Sequence, residues 1–311
     1  MDIQTKTDII HQKIYDFLLY IYPLLTSLFL FVGCQDSDTT IRIATKPMTE
    51  QFILGEMLAI LIANNTSLHP VITKGIGGGT SNIHPAIVKG DFDLYPEYTG
   101  TGWLVVLKKN NLLPPQQLYD QLAEAYRQQF HLVWIGPYGF NNTYSLAVKE
   151  ENARKFGLQK FSDLARYPDQ FRFGAEYDFF EIHEGYDALC KFYNLKFKKT
   201  MDMDIGLKYE AIKSDKIDVM NIFTTDGQLN GARLTVLEDD KHFFPTYYCA
   251  TVVREETLQK HPELKQVLAK MNHILTDSEM SELNYLVEVA GQPEHDVALN
   301  FLKRKGILTQ N

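Results

Sequence analysis

The sequence predicts an α/β protein of two similar lobes joined by two chain crossings, and three observations carry that reading. The chain is 311 residues long and 45% hydrophobic, enough for more than one core. Residues 86–101 are echoed without a gap at 211–226, sharing Ala-Ile, an aspartate (Asp93, Asp218) and an aromatic-Thr pair (Tyr98-Thr99, Phe223-Thr224). Each copy reads as a helix end, a tight turn, a short buried strand and an aromatic residue leading into small polar ones. Strand and helix patterns alternate on either side of both copies. In such sheets ligands sit beyond the carboxyl ends of the strands, where both aromatic-Thr pairs fall, so the lobes would form a clamp.

Along the chain, Ile41–Thr45 alternates as a first strand, and Lys46–Glu50 is a turn. Thr49 is the predicted N-cap of a helix over 51–64, whose stripe is Phe52, Leu54, Met57, Leu58 and Leu61. A strand at 70–73, the loop Gly75-Ile-Gly-Gly-Gly-Thr-Ser81 and a helix over 82–89 follow; that corner can turn backbone N–H groups outward. A helix over 115–129 leads to a strand at 132–135, and 136–143 crosses to the second lobe. There, strands are predicted at 144–149, 171–176 and 218–225, with helical pieces in 153–166, 184–193 and 206–214. Residues 234–240 are the expected return crossing, and amphipathic helices from 257 to 308 pack back on the first lobe. The first lobe would thus hold 40–140 and 237–311, and the second 141–236.

Composition excludes several functions. A net charge of -8 without a basic stripe argues against nucleic acid. Cys34, Cys190 and Cys249 have no metal-ligand spacing, and the last two fall in different lobes as buried, unpaired thiols. No P-loop or nucleophile elbow occurs. Glu176, Asp178, Glu181, His183 and Glu184 cluster in sequence, but without the ligand spacing of a metal site they read as a charged loop beside a cleft rather than an enzyme's acid–base centre acting on a small betaine. No cofactor is expected. The uncharged, mostly apolar run 17–33 ends in Gly33-Cys34, the pattern of a lipoprotein signal with Cys34 as lipidation site, although Asp2, Asp8 and Asp16 offset Lys6 and Lys13. Residues 1–34 are therefore read as that signal or as an uncleaved anchor helix, with the rest outside the cytoplasm.

Six motifs in order carry a family resemblance: Lys46-Pro-Met-Thr-Glu-Gln51, Gly78-Gly-Thr80, Asp93-Leu-Tyr-Pro-Glu-Tyr-Thr-Gly-Thr101, Asn141-Asn-Thr-Tyr144, Asp204-Ile-Gly-Leu-Lys-Tyr209 and Val236-Leu-Glu-Asp-Asp240. Together they resemble the glycine betaine/choline/carnitine-binding proteins of ABC importers, from about residue 41 onward. The resemblance implies a periplasmic-binding-protein type II-like fold, a membrane permease as partner, and a monomer that captures a quaternary ammonium in a tyrosine cage. Tyr98, Tyr144 and Tyr209 match cage positions, with Phe223 at the echoed strand end. Aromatic faces suit a trimethylammonium group, which donates no hydrogen bond. Lys46 and Thr101 match positions that hold the ligand carboxylate; Thr80 and its glycines offer donors or only a turn, and Asn142 sits where relatives meet the cation. Two departures point to a ligand shaped differently from glycine betaine. A further cage tyrosine of many relatives falls on Ala232, and a carboxylate-clasping arginine of some falls on Ile182. Glu176, Glu181 and Phe179 or Phe180 would line the extra space. The wording of 74–86 and 173–181 resembles a subgroup that binds ergothioneine, a trimethylated histidine betaine with a thione on its ring. An anchored ligand-sensing domain would use the same clamp, but no output domain accompanies it.

Overall fold

The computed structural model describes residues 39–109, 111, 113–181, 185–203 and 205–308, and Ile41–Asn311 form one compact unit. Cys34 and the segment before it lie outside the described residues, as do Ile182, His183, Glu184 and Asp204.

Among the described residues, short runs rich in branched and aromatic residues make ten strands. In chain order they are β1 (Thr40–Ala44), β2 (His69–Thr73), β3 (Leu94–Tyr98), β4 (Leu132–Ile135) and β5 (Tyr144–Lys149). Then come β6 (Arg172–Ala175), β7 (Lys199–Asp202), β8 (Val219–Phe223), β9 (Leu234–Leu237) and β10 (Cys249–Arg254). They form two five-stranded sheets of matching order, β2-β1-β3-β10-β4 and β7-β6-β8-β5-β9. In the first, β10 runs antiparallel to its neighbours; in the second, β5 does. Each of these two strands enters its sheet directly after a crossing from the other lobe. Both sheets are covered on both faces, by four apolar clusters in all. The helix α1 (Thr49–Asn65) packs with the C-terminal helices Asp277–Glu288 and Glu294–Arg304 in the first of these clusters, as the sequence predicts.

The echoed aspartates have a physical role. Asp93 accepts hydrogen bonds from the Arg42 backbone N–H (2.8 Å) and from its guanidinium (2.9 and 3.1 Å). Asp218 takes the same three from Arg172, all at 2.8 Å. Each aspartate thereby locks the strand after it to the parallel strand that precedes it in the sheet, and the bidentate fork fixes register. Burial pushes the Asp218 carboxyl up, but the Arg172 hydrogen bonds and charge outweigh it and leave it below the usual range.

Two expectations are corrected. Thr49 is the first helical residue of α1, and Met48 precedes it as a cap without a side-chain bond. The return crossing also comes later than 234–240, because Leu234–Leu237 is β9 and Leu237 pairs with Leu146 of β5. Residues 238–244 stay with the second lobe: the Phe161 N–H donates to the Glu238 carbonyl (2.9 Å), and Phe244 lies in the aromatic core. The chain returns through 245–248, where Tyr248 bridges to Asn141 of the first crossing. The polar run 238–240 resembles a linker only because its carboxylates cap local structure. Asp239 accepts the Phe243 and Phe244 N–H groups (3.0 and 2.8 Å), and Asp240 accepts from Ser162. Cys190 and Cys249 are free thiols, half-buried and buried respectively. Among the described residues no helix is long and apolar enough to cross a membrane.

Candidate functional site

In the first lobe the polar residues at the strand ends converge on Glu97, the fourth residue of β3. Lys46, 5% exposed, ion-pairs with Glu97. The Thr80 hydroxyl donates to the other carboxylate oxygen (2.7 Å), and the Tyr98 N–H also donates to Glu97 (2.7 Å). The Lys46 ammonium sits 4.7 Å from the Tyr98 ring centroid. Lys46 is therefore no solvated turn lysine, and Glu97 balances its charge. The glycine loop spends amides on its own turns: Gly75 N–H donates to Thr45 Oγ1 (3.2 Å) and Gly79 N–H to the Ile76 carbonyl (3.1 Å). Gly78 sits at φ +75°, a left-handed conformation that strains any residue with a Cβ. Thr101 ends a helical turn, Thr99–Thr101, and no hydrogen bond among the described residues joins it to Lys46.

In the second lobe Tyr144 and Phe223 stand directly opposite each other on β5 and β8, with ring centroids 4.5 Å apart. Phe179 and Phe244 stack on Tyr144 at 5.3 and 5.7 Å. Of the two phenylalanines offered by the sequence, Phe179 thus meets the cage ring; Phe180 packs instead on Phe173 and Tyr186. Burial pushes the Tyr144 hydroxyl up to about 12, helped by the charges of Glu176, Asp178 and Asp226 and by Tyr247. Tyr209, almost buried, donates to Asp226 Oδ2 (2.9 Å), which also accepts the Phe223 N–H (3.2 Å). Burial raises the Asp226 carboxyl, partly offset by Lys208. Glu176 accepts from Lys208 Nζ (2.9 Å) and Asn221 Nδ2 (2.7 Å), and the Lys208 side chain is wholly buried.

Each lobe therefore holds one buried Lys–Glu pair near its tyrosines, Lys46–Glu97 and Lys208–Glu176. Sequence reasoning missed Glu50, Lys208 and Asp226. The halves meet at Glu50, whose carboxylate accepts from the Tyr98 hydroxyl and from Asn142 Nδ2 (3.1 Å). Lys46, Thr80 and Tyr98 are brought together, and so are Tyr144, Phe223, Tyr209 and Glu176. A groove of about 1100 Å³ is bordered by Tyr209, Ala232, Tyr285 and Glu288, but not by Tyr98 or Tyr144. Four buried or half-buried carboxylates (Glu50, Glu97, Glu176, Asp226) face two lysines (Lys46, Lys208) around the junction, a balance that favours a cation. Among the described residues no cluster of metal-ligating side chains occurs.

Residues 39–304 match the family described as the substrate binding domain of ABC-type glycine betaine transport systems. The ergothioneine transport permease/ergothioneine binding protein EgtU of Helicobacter pylori is 43% identical over 93% of this chain, which spans only 52% of that protein's length. The carnitine transport binding protein OpuCC of Listeria monocytogenes is 33% identical over 92% of this chain and 95% of its own length. The crystal structure of a glycine betaine/carnitine/choline ABC transporter protein superposes with a TM-score of 0.82 at 31% identity, covering 87% of this chain and 99% of that one.

Proposed function

The chain belongs to the family of substrate-binding domains of ABC-type glycine betaine transport systems, and from that membership we propose that its ligand is a betaine larger than glycine betaine, ergothioneine first among them. As a family member it is a solute-binding component of an importer and not an enzyme. One observation carries the ligand reading: the small Ala232 stands where the resemblance puts a further cage tyrosine, a reduced wall that suits a ring attached to the cation. The 43% identity to the ergothioneine-binding relative supports it.

In this reading Tyr98, Tyr144, Tyr209 and Phe223 hold the trimethylammonium, each face contributing roughly 0.5–2 kcal/mol. Lys46, with Thr80 and Thr101, receives the carboxylate, and Asn142, Glu176 and Phe179 complete the surround. Closure of the lobes would draw the two half-sites into one hollow, to the extent that the ligand contacts both better when shut. The monomeric closed form then docks on a permease. Calorimetry with ergothioneine, carnitine, choline and glycine betaine is expected to rank ergothioneine tightest; glycine betaine in first place, or no binding at all, rejects the ligand.

We also propose that the chain is cleaved before Cys34 and lipidated there, since an apolar run ending in a small residue precedes that cysteine. The intact mass of membrane-extracted protein should correspond to a chain starting at Cys34 plus a diacylglyceryl group. An unmodified, full-length mass would leave residues 1–34 as an anchor.

A further inference from the structure

We infer that Glu50 is a positioning residue of ligand capture: its carboxylate sets the Tyr98 ring and ties both lobes to it. Glu50 lies in the first turn of α1 and is 4% exposed. It gathers donors from three separate segments. The Tyr98 hydroxyl comes from the end of β3, Asn142 Nδ2 (3.1 Å) from the first crossing, and Asn284 Nδ2 (3.4 Å) from the helix Asp277–Glu288. Asn284 in turn reaches the second lobe at Thr225, just past β8.

The surrounding contact between lobes is tight. Asn284 Nδ2 also donates to the Thr225 carbonyl (2.8 Å), and the Ser281 hydroxyl to the Asp226 carbonyl (2.8 Å). At Gly227 a Cβ would lie 2.8 Å from the Tyr285 backbone nitrogen, so nothing larger than glycine fits between that turn and the helix. Glu50 thus joins the Tyr98 ring to the first crossing and, through Asn284, to the second lobe.

Its surroundings do not balance its charge. The nearby ionisable groups are Lys46 and Glu97, already paired, with Tyr98, Cys249, Asp226 and Glu288, and no lysine or arginine among the described residues pairs with Glu50. Burial pushes its carboxyl up despite the hydrogen bonds it accepts. A raised folded-state acid contributes stability below its unfolded pKa and loses it as pH rises through the folded value, so the ionised form costs stability near neutrality. A carboxylate accepts from these three donors on its two oxygens, and a cationic ligand against Tyr98 would supply the missing charge. This last step rests on the ligand reading above.

The test compares Glu50→Gln and Glu50→Ala with the unmodified chain in thermal melts at about pH 5 and pH 7.5, in calorimetry against the four betaines, and in small-angle scattering. Glu50→Gln is expected to melt no lower than the parent near neutrality, with any gain shrinking in acid. Its affinity for whichever betaine binds best should fall roughly tenfold or more, and scattering should show wider lobes for both variants. A lower melting point with unchanged affinity would make Glu50 purely structural and overturn the proposal. If the parent binds none of the betaines, the ligand reading fails alone, and scattering decides: unaltered lobe separation in both variants overturns the role of Glu50 as well.

Discussion

Tyr144→Leu is expected to weaken betaine binding roughly tenfold or more while leaving the second lobe folded. The choice of leucine matters. Tyr144 stacks on Phe179, Phe223 and Phe244, and truncation to alanine would open a cavity costing about 3–5 kcal/mol where the ring is fully buried. Because Tyr144 is only half-buried, that cost would be smaller yet still large enough to blur a loss of affinity with a loss of fold. Leucine keeps apolar volume against the three rings and removes the π face. Tyr144→Phe keeps the face and removes the hydroxyl, so its affinity should stay within a few-fold of the parent. Calorimetry with circular dichroism melts reads both effects, and full affinity in the leucine variant would take Tyr144 out of the cage.

The strand-end logic behind that expectation was legible in the sequence, and the reason is local. Asp93 and Asp218 recur because each holds an arginine of the preceding parallel strand, a contact that any copy of the unit needs. Tyr98 and Phe223 recur because both close such a strand. The return crossing was not legible, since three acidic residues in a row look solvated until their backbone partners are known. Glu50 and Lys208 escaped for a related reason: burial of a charge is a property of the packed molecule. A trace of each was nevertheless present. Glu50 occupies the stripe of Ile53, Leu54 and Met57, and Lys208 that of Ala211 and Ile212, all buried. A charge placed three and four residues before apolar ones on the inward face of a helix is the signal to look for.

How the tyrosines stand relative to one another was hidden by the same limit. Spacing places Tyr98 and Tyr144 at strand ends, but the distance between lobes depends on the crossings. Asn142 illustrates this: it reads as a turn residue, yet its amide reaches Glu50, a contact made only once the crossing packs on the first lobe.

Lys208→Met should be the most damaging single change in the second lobe, costing about 3–5 kcal/mol, because removal of one partner strands a buried charge. Lys208 has no exposed side-chain surface, and Glu176 depends on it and on Asn221 for its hydrogen bonds. Methionine fills the space of the lysine stem without its charge. Adding Glu176→Gln should restore most of the loss, since a neutral amide beside Asn221 needs no counter-ion. Denaturant melts of the two single variants and the double variant give the coupling directly. A cost below about 1 kcal/mol for Lys208→Met would mean that Glu176 finds its balance elsewhere. The pair also bears on the ligand, because Glu176 contributes to the negative surroundings of both Tyr144 and Tyr209. Lys208 meets one oxygen of that carboxylate and Asn221 the other, and the carboxylate leaves the aromatic faces in a field that attracts a permanent cation.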